Sequence, residues 1–129
     1  MVVTFPGAVT LTGASVTSGT GNVGSVGGSG TAVITVNLTG VTNIQRLGVT
    51  LANVNNGTAT GDVFVPMGVL SGDTNASTSV SAADVSQTKA QSGNVTTGAN
   101  FRTDVNSSGA ISAADVSLVK SRSGTVLPP

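Results

Sequence analysis

A chain of 129 residues suits one ordinary domain or two very small ones, and at that length about two-thirds of the unfolded surface can be buried. Only 8% of the residues are charged, the net charge is zero, and His, Cys, Trp and Tyr are all absent. These absences exclude Ser-His-Asp and Cys-His triads, thiolate zinc sites and redox pairs, and they leave neither a basic stripe nor an aromatic platform for nucleic acid.

The reading is therefore of a protein that is not an enzyme, and carbohydrate is disfavoured as a ligand for want of Trp and Tyr. Zero net charge also removes the long-range repulsion that keeps copies of a chain apart. No stretch is long and apolar enough to span a bilayer, and residues 1–6 lack the charged start and apolar run of a signal peptide. The hydroxyl-rich, glycine-rich composition is that of a secreted or cell-surface protein, met here as a mature or trimmed chain.

Residues 1–67 read as strands. The clearest is 31–39, where Ala32, Ile34, Val36 and Leu38 alternate with mainly Thr and Asn; Leu47, Val49 and Leu51 repeat the period within 46–54. Weaker alternation marks 2–5, 9–12, 14–17 and 62–65, separated by Pro6-Gly7, Asn43 and Asn55-Asn56-Gly57. Residues 18–30 hold six glycines and read either as a long loop or as a glycine-rich edge approached by another backbone. Asp62, beside Gly61, reads as a turn residue. The expected architecture for 1–67 is a short or incomplete immunoglobulin-like β-sandwich. The join at 66–72 is short and apolar, with Met67, Val69 and Leu70 expected to pack against both halves.

The second half, 68–129, contains one stretch twice. Residues 73–93 and 104–124 lie 31 positions apart and agree at 12 of 21 places. In the first copy, side-chain oxygens fall at positions 1, 3, 5, 9 and 12: Asp73, Asn75, Ser77, Ser81 and Asp84. In the second they are Asp104, Asn106, Ser108, Ser112 and Asp115. Position 7, Ser79 or Ala110, would offer its carbonyl. This is the ligand spacing of a twelve-residue calcium loop, and a helix should leave each loop. Ser81-x-x-Asp84 and Ser112-x-x-Asp115 also read as capping boxes, which account for two of the five positions. The chain has no Glu, and four of its five Asp residues are the ends of these loops.

The paired loop-plus-helix units, the Asp closing each loop and Val80 or Ile111 at position 8 resemble the type I dockerin module of secreted bacterial proteins, over about residues 70–127. The resemblance implies a small helical module holding two Ca²⁺ ions about a pseudo-twofold axis, its helices docking a cohesin-like partner. Ser77 and Ser108 stand where the family usually has Asp, and Thr78 where it usually has Gly; Gly109 keeps that glycine. With two carboxylates per loop, affinity is expected at the weak end, roughly 10⁻⁴ to 10⁻³ M. Phe101 is expected in the small core of the second repeat, with Val80, Ile111, Val116 and Val119. The segment 1–67 also resembles the C-terminal part of a β-domain that often precedes such modules, with an opening strand missing.

Two functions fit these residues. One is a non-catalytic extracellular structural protein that assembles with copies of itself, into filaments by strand addition, with the chain ends 1–5 and 125–129 as donors. The other is a dockerin-like appendage of a secreted enzyme that docks a cohesin-like protein.

Overall fold

The computed structural model describes all residues from Met1 to Pro129, and the chain divides into two compact units, Met1–Met67 and Gly68–Pro129. Each is described by itself.

The first unit is built of six strands: β1 (Val2–Val9), β2 (Gly13–Ser18), β3 (Asn22–Gly27), β4 (Thr31–Thr39), β5 (Gln45–Asn55) and β6 (Thr60–Val69), the last running just past the unit boundary. They form two three-stranded sheets, ordered β1-β4-β3 and β2-β5-β6. β1 and β3 both run antiparallel to β4, and β2 runs antiparallel to β5, with Val2 opposite Thr35, Val26 opposite Val36 and Val16 opposite Val49. Each central strand buries one row of side chains, Ile34 and Val36 on β4 and Leu47, Val49 and Leu51 on β5. The opposite faces carry mainly Thr, Asn and Ser, with Val33 of β4 and Phe64 of β6 also exposed. The strong alternation of β4 and β5 thus places these strands at the centre of each sheet, as a period of two requires when one face is buried.

The inward series on β5 runs Leu47, Val49, Leu51 and then Val54, one residue out of phase. Asn53 lies at the slip: it sits at φ 50°, in the left-handed region that Asn tolerates, and turns the strand so that Val54 faces inward, while Ala52 opposite Gly13 and Asn55 opposite Thr10 keep one register. Asp62 on β6 accepts the Asn53 amide at 2.8 Å, so this carboxylate pins an irregular strand rather than shaping a turn.

One further expectation is corrected in this unit, and one pair of alternatives is decided. Residues 2–5 and 9–12 are not two strands: β1 continues through Pro6-Gly7 to end at Val9, its register shifting between Thr4 and Val9, and 10–12 form no strand, with Thr10 making only an isolated bridge to Asn55. β1 is an edge strand, where a residue without an amide hydrogen costs no ladder bond. The glycine-rich stretch is an edge strand, β3, and not a long loop. Its hairpin to β4 turns at Gly28, whose φ of 89° and close approach to the Val33 carbonyl exclude a side chain.

The second unit runs from the first loop into α1 (Ala82–Gln91), through a connector and a single 3-10 turn at Phe101–Thr103, into the second loop and α2 (Ala113–Ser121). α1 packs against α2. Val80, Ile111 and Val119 are its buried apolar residues, joined by buried Thr74, Thr88 and Thr103. Phe101 is not among them: it is 57% exposed, with the Arg102 guanidinium carbon 6.0 Å from its ring centre, because the 3-10 turn aims Thr103 inward instead.

Candidate metal centre

Both loops have the same backbone. Positions 4 and 6 take positive φ in each copy, Ala76 at 60° and Thr78 at 70°, Ser107 at 57° and Gly109 at 87°. The sharp double turn points alternate side chains to one side. In the first loop the Ser77 amide donates to Asp73 Oδ1 at 2.9 Å and to Asn75 Oδ1 at 3.0 Å, so both oxygens lie within reach of one hydrogen. The Ser77 hydroxyl donates to the Ser79 carbonyl at 3.1 Å. The second loop repeats this set: the Ser108 amide donates to Asp104 Oδ1 and Asn106 Oδ1, both at 2.9 Å, and its hydroxyl donates to the Ala110 carbonyl at 3.0 Å. Positions 1, 3, 5 and 7 therefore gather in both copies.

Positions 9 and 12 serve the helices as well. Ser81 and Ser112 are the N-caps of α1 and α2, and both capping boxes are complete. Asp84 Oδ2 accepts from the Ser81 amide at 2.8 Å and hydroxyl at 3.0 Å, while its Oδ1 accepts from the amides of Thr74 at 2.9 Å and Asn75 at 3.3 Å. Asp115 repeats the pattern with the Ser112 amide and hydroxyl and the Asn106 amide. The capping reading and the metal-loop reading are thus compatible, since the same carboxylate closes the loop and starts the helix.

Burial pushes the Asp84 carboxyl up, but the donors from Ser81, Asn75 and Thr74 outweigh it and hold the group below the usual Asp value. Asp115 behaves alike: burial raises it, the Ser112 and Asn106 donors prevail, and the nearby Asp104 charge opposes them. For Asp104 the Thr96 hydroxyl is the largest influence and lowers its pKa, against burial and together with the amides of Gly109, Ser108 and Ser107. Three of the four loop carboxylates are therefore held ionised near neutral pH, as a cation site needs.

Every buried side-chain oxygen and nitrogen has a hydrogen-bond partner, and nowhere do three or more acidic, His or Cys side chains come together. The donor set is two carboxylates, an amide oxygen, two hydroxyls and a carbonyl per loop. All are hard oxygen ligands, which fit Ca²⁺ and do not suit a softer metal.

Residues 71–122 match the family model of the dockerin type I domain. The match takes in both loops and both helices, and dockerin domains in general bind calcium and dock to other proteins. No curated protein and no solved structure matches the chain. No helix of the dockerin-like unit or elsewhere is long and apolar enough to cross a membrane.

Sequence reasoning missed two residues of this dockerin-like region. Thr74, 2% exposed, donates its amide to Asp84 and its hydroxyl to Gln87; Thr96 donates its hydroxyl to Asp104 Oδ2 at 2.7 Å. Neither lies at a ligand position, and Thr96 lies outside the repeated stretch, so spacing alone carries no sign of them.

Proposed function

We propose that the chain is a non-catalytic docking protein of the cell exterior, in which two Ca²⁺ ions, one in each loop, hold α1 and α2 in place for a cohesin-like partner protein. The observation that carries this reading is the pair of loops, which share the turn bonds of positions 1, 3, 5 and 7 and a complete capping box, inside the segment that fits the dockerin model. Asp73, Asn75, Ser77, Ser79, Ser81 and Asp84 would hold one ion, and Asp104, Asn106, Ser108, Ala110, Ser112 and Asp115 the other. Bound calcium would supply the positive charge on which these oxygens converge, and so would tie each loop to the start of its helix. The absence of His, Cys and Glu supports a chain without catalytic groups of its own. The two sheets, each with one buried face, support reading unit 1 as a short immunoglobulin-like sandwich that carries the docking unit.

The test is capture of the purified chain on immobilised type I cohesin domains. Binding in millimolar calcium that is lost on chelation, and lost in an Asp84→Ala, Asp115→Ala double variant, is the expected result. Failure to bind cohesin in calcium would overturn the partner assignment.

Self-association by strand addition is a second reading, and one observation favours it. β1 and β6 are edge strands, and an apolar groove of about 310 Å³ runs between residues of the two, lined by Phe5, Val9, Val54 and Val63. The donors expected from sequence do not support it. Val2, Val3 and Thr4 already pair with β4, and Thr125 and Leu127 are hydrogen-bonded to the first loop. Monomeric behaviour in light scattering at high protein concentration, with calcium present, would rule this reading out.

A further inference from the structure

The two loops differ in what holds their first carboxylate. Asp73 Oδ2 accepts one hydrogen bond, from the Thr78 amide at 2.9 Å. Asp104 Oδ2 accepts two, from the Gly109 amide at 2.9 Å and from the Thr96 hydroxyl at 2.7 Å. The residue 31 places beyond Thr96 is Leu127, which has no hydroxyl to offer Asp73, and whose side chain lies against Gly68 instead.

Thr96 is delivered to the second loop by its backbone. The segment that leaves α1 runs beside the second loop, with Gly93 N donating to the Ile111 carbonyl, Ile111 N to the Asn94 carbonyl and Thr96 N to the Gly109 carbonyl, at 2.8 to 2.9 Å. A carboxylate with one oxygen fixed by two donors has its other oxygen already aimed, here toward the side shared with Asn106. Asp73 lacks the second donor, and the amide it does use belongs to Thr78, which must be kept at φ 70°. Both differences favour the second loop.

We infer that Thr96 is a positioning residue of the second calcium site and that the sites fill in order, the second loop first. The inference rests on the calcium-docking reading above. A hydrogen bond to a charged group amounts to about a tenfold change in affinity, and the strain at Thr78 acts in the same direction by a similar factor. At calcium levels between the two affinities the second repeat is closed while the first is still open, so the docking unit has a half-loaded state.

Two-dimensional NMR of the full chain, titrated with calcium after chelation, reads each site through its position-6 amide. The Gly109 amide is expected to reach its midpoint at roughly ten- to hundredfold lower calcium than the Thr78 amide. Thr96→Val should move the Gly109 midpoint up about tenfold and leave the Thr78 midpoint where it was, while Thr96→Ser keeps both. A merely structural role for Thr96 would shift both midpoints together. Titration of the two amides in step, a Thr78 midpoint below that of Gly109, or a Thr96→Val chain indistinguishable from the parent would each overturn the inference while leaving the docking reading intact. If neither amide responds to millimolar calcium, the docking reading fails and the inference goes with it.

Discussion

Thr78 is β-branched and sits at φ 70°, where the second loop has Gly109 at 87°. A branched side chain in the left-handed region crowds the following carbonyl and costs about 1 kcal/mol or somewhat more. Thr78→Gly removes that cost, part of which returns as the greater freedom of glycine in the unfolded chain. The expected outcome is a first loop more stable by about 1 kcal/mol, seen as a higher melting temperature of the Gly68–Pro129 unit in calcium and slower exchange of the residue-78 amide. An unchanged or lower melting temperature would mean that the Thr side chain makes contacts worth as much as the strain. Asp, Asn and Ser at alternate positions could be read from sequence because the loop is local, every ligand lying within twelve residues. Thr96 could not, because its partner lies across a fold-back that no spacing rule encodes. The exposure of Phe101 is hidden for a related reason: aromatic side chains are usually buried, and only the geometry of the 3-10 turn shows that Thr103 takes the inward place.

The elements of the second unit are crossed rather than stacked in sequence. Residues leaving α1 bridge to the second loop, and residues leaving α2 bridge to the first: Val80 N donates to the Thr125 carbonyl, Gly124 N to the Val80 carbonyl and Leu127 N to the Thr78 carbonyl. Each loop is thereby fastened to the exit of the opposite helix. Truncation before Gly124 should free the first loop and spare the second. Hydrogen exchange in calcium is expected to quicken at Val80, which loses its acceptor, while Ile111, whose acceptor Asn94 remains, stays protected. Equal loss of protection at both amides would show that the two repeats open as one. Among the strands, β4 and β5 were legible because both bury one face and so alternate strictly. β3 is ambiguous in the sequence between strand and loop, since an edge of Asn, Gly, Ser and Val has little side chain to alternate, and its pairing with β4 comes from the partner strand's strength. The continuity of β1 through Pro6-Gly7 was hidden because turn chemistry on an edge strand looks the same as a true turn.

At the scale of the molecule, the two units rest on different physics. Met1–Met67 has two rows of aliphatic side chains, with Ile34, Val36, Val49 and Leu51 wholly buried, and its single carboxylate, Asp62, is spent on a strand irregularity. Gly68–Pro129 has Val80, Ile111 and Val119, and much of the rest of its interior is polar: Thr74, Thr88, Thr103, Asp84 and Asp115. A core that small does not by itself hold a unit of this size, and metal bound to a site absent from the unfolded chain adds directly to folding free energy. Chelation should therefore speed amide exchange throughout Gly68–Pro129 and leave the strands β1 to β5 at their former rates. Leu51→Ala should do the reverse, removing a fully buried side chain at a cost of about 3 kcal/mol to the sheets while the calcium titration of the loops keeps its midpoints. Exchange mass spectrometry on the same samples reads both. If chelator leaves the second unit as protected as before, its polar interior is self-sufficient and calcium is not what holds the loops. If chelator loosens β4 and β5 together with the helices, the two units do not fold independently.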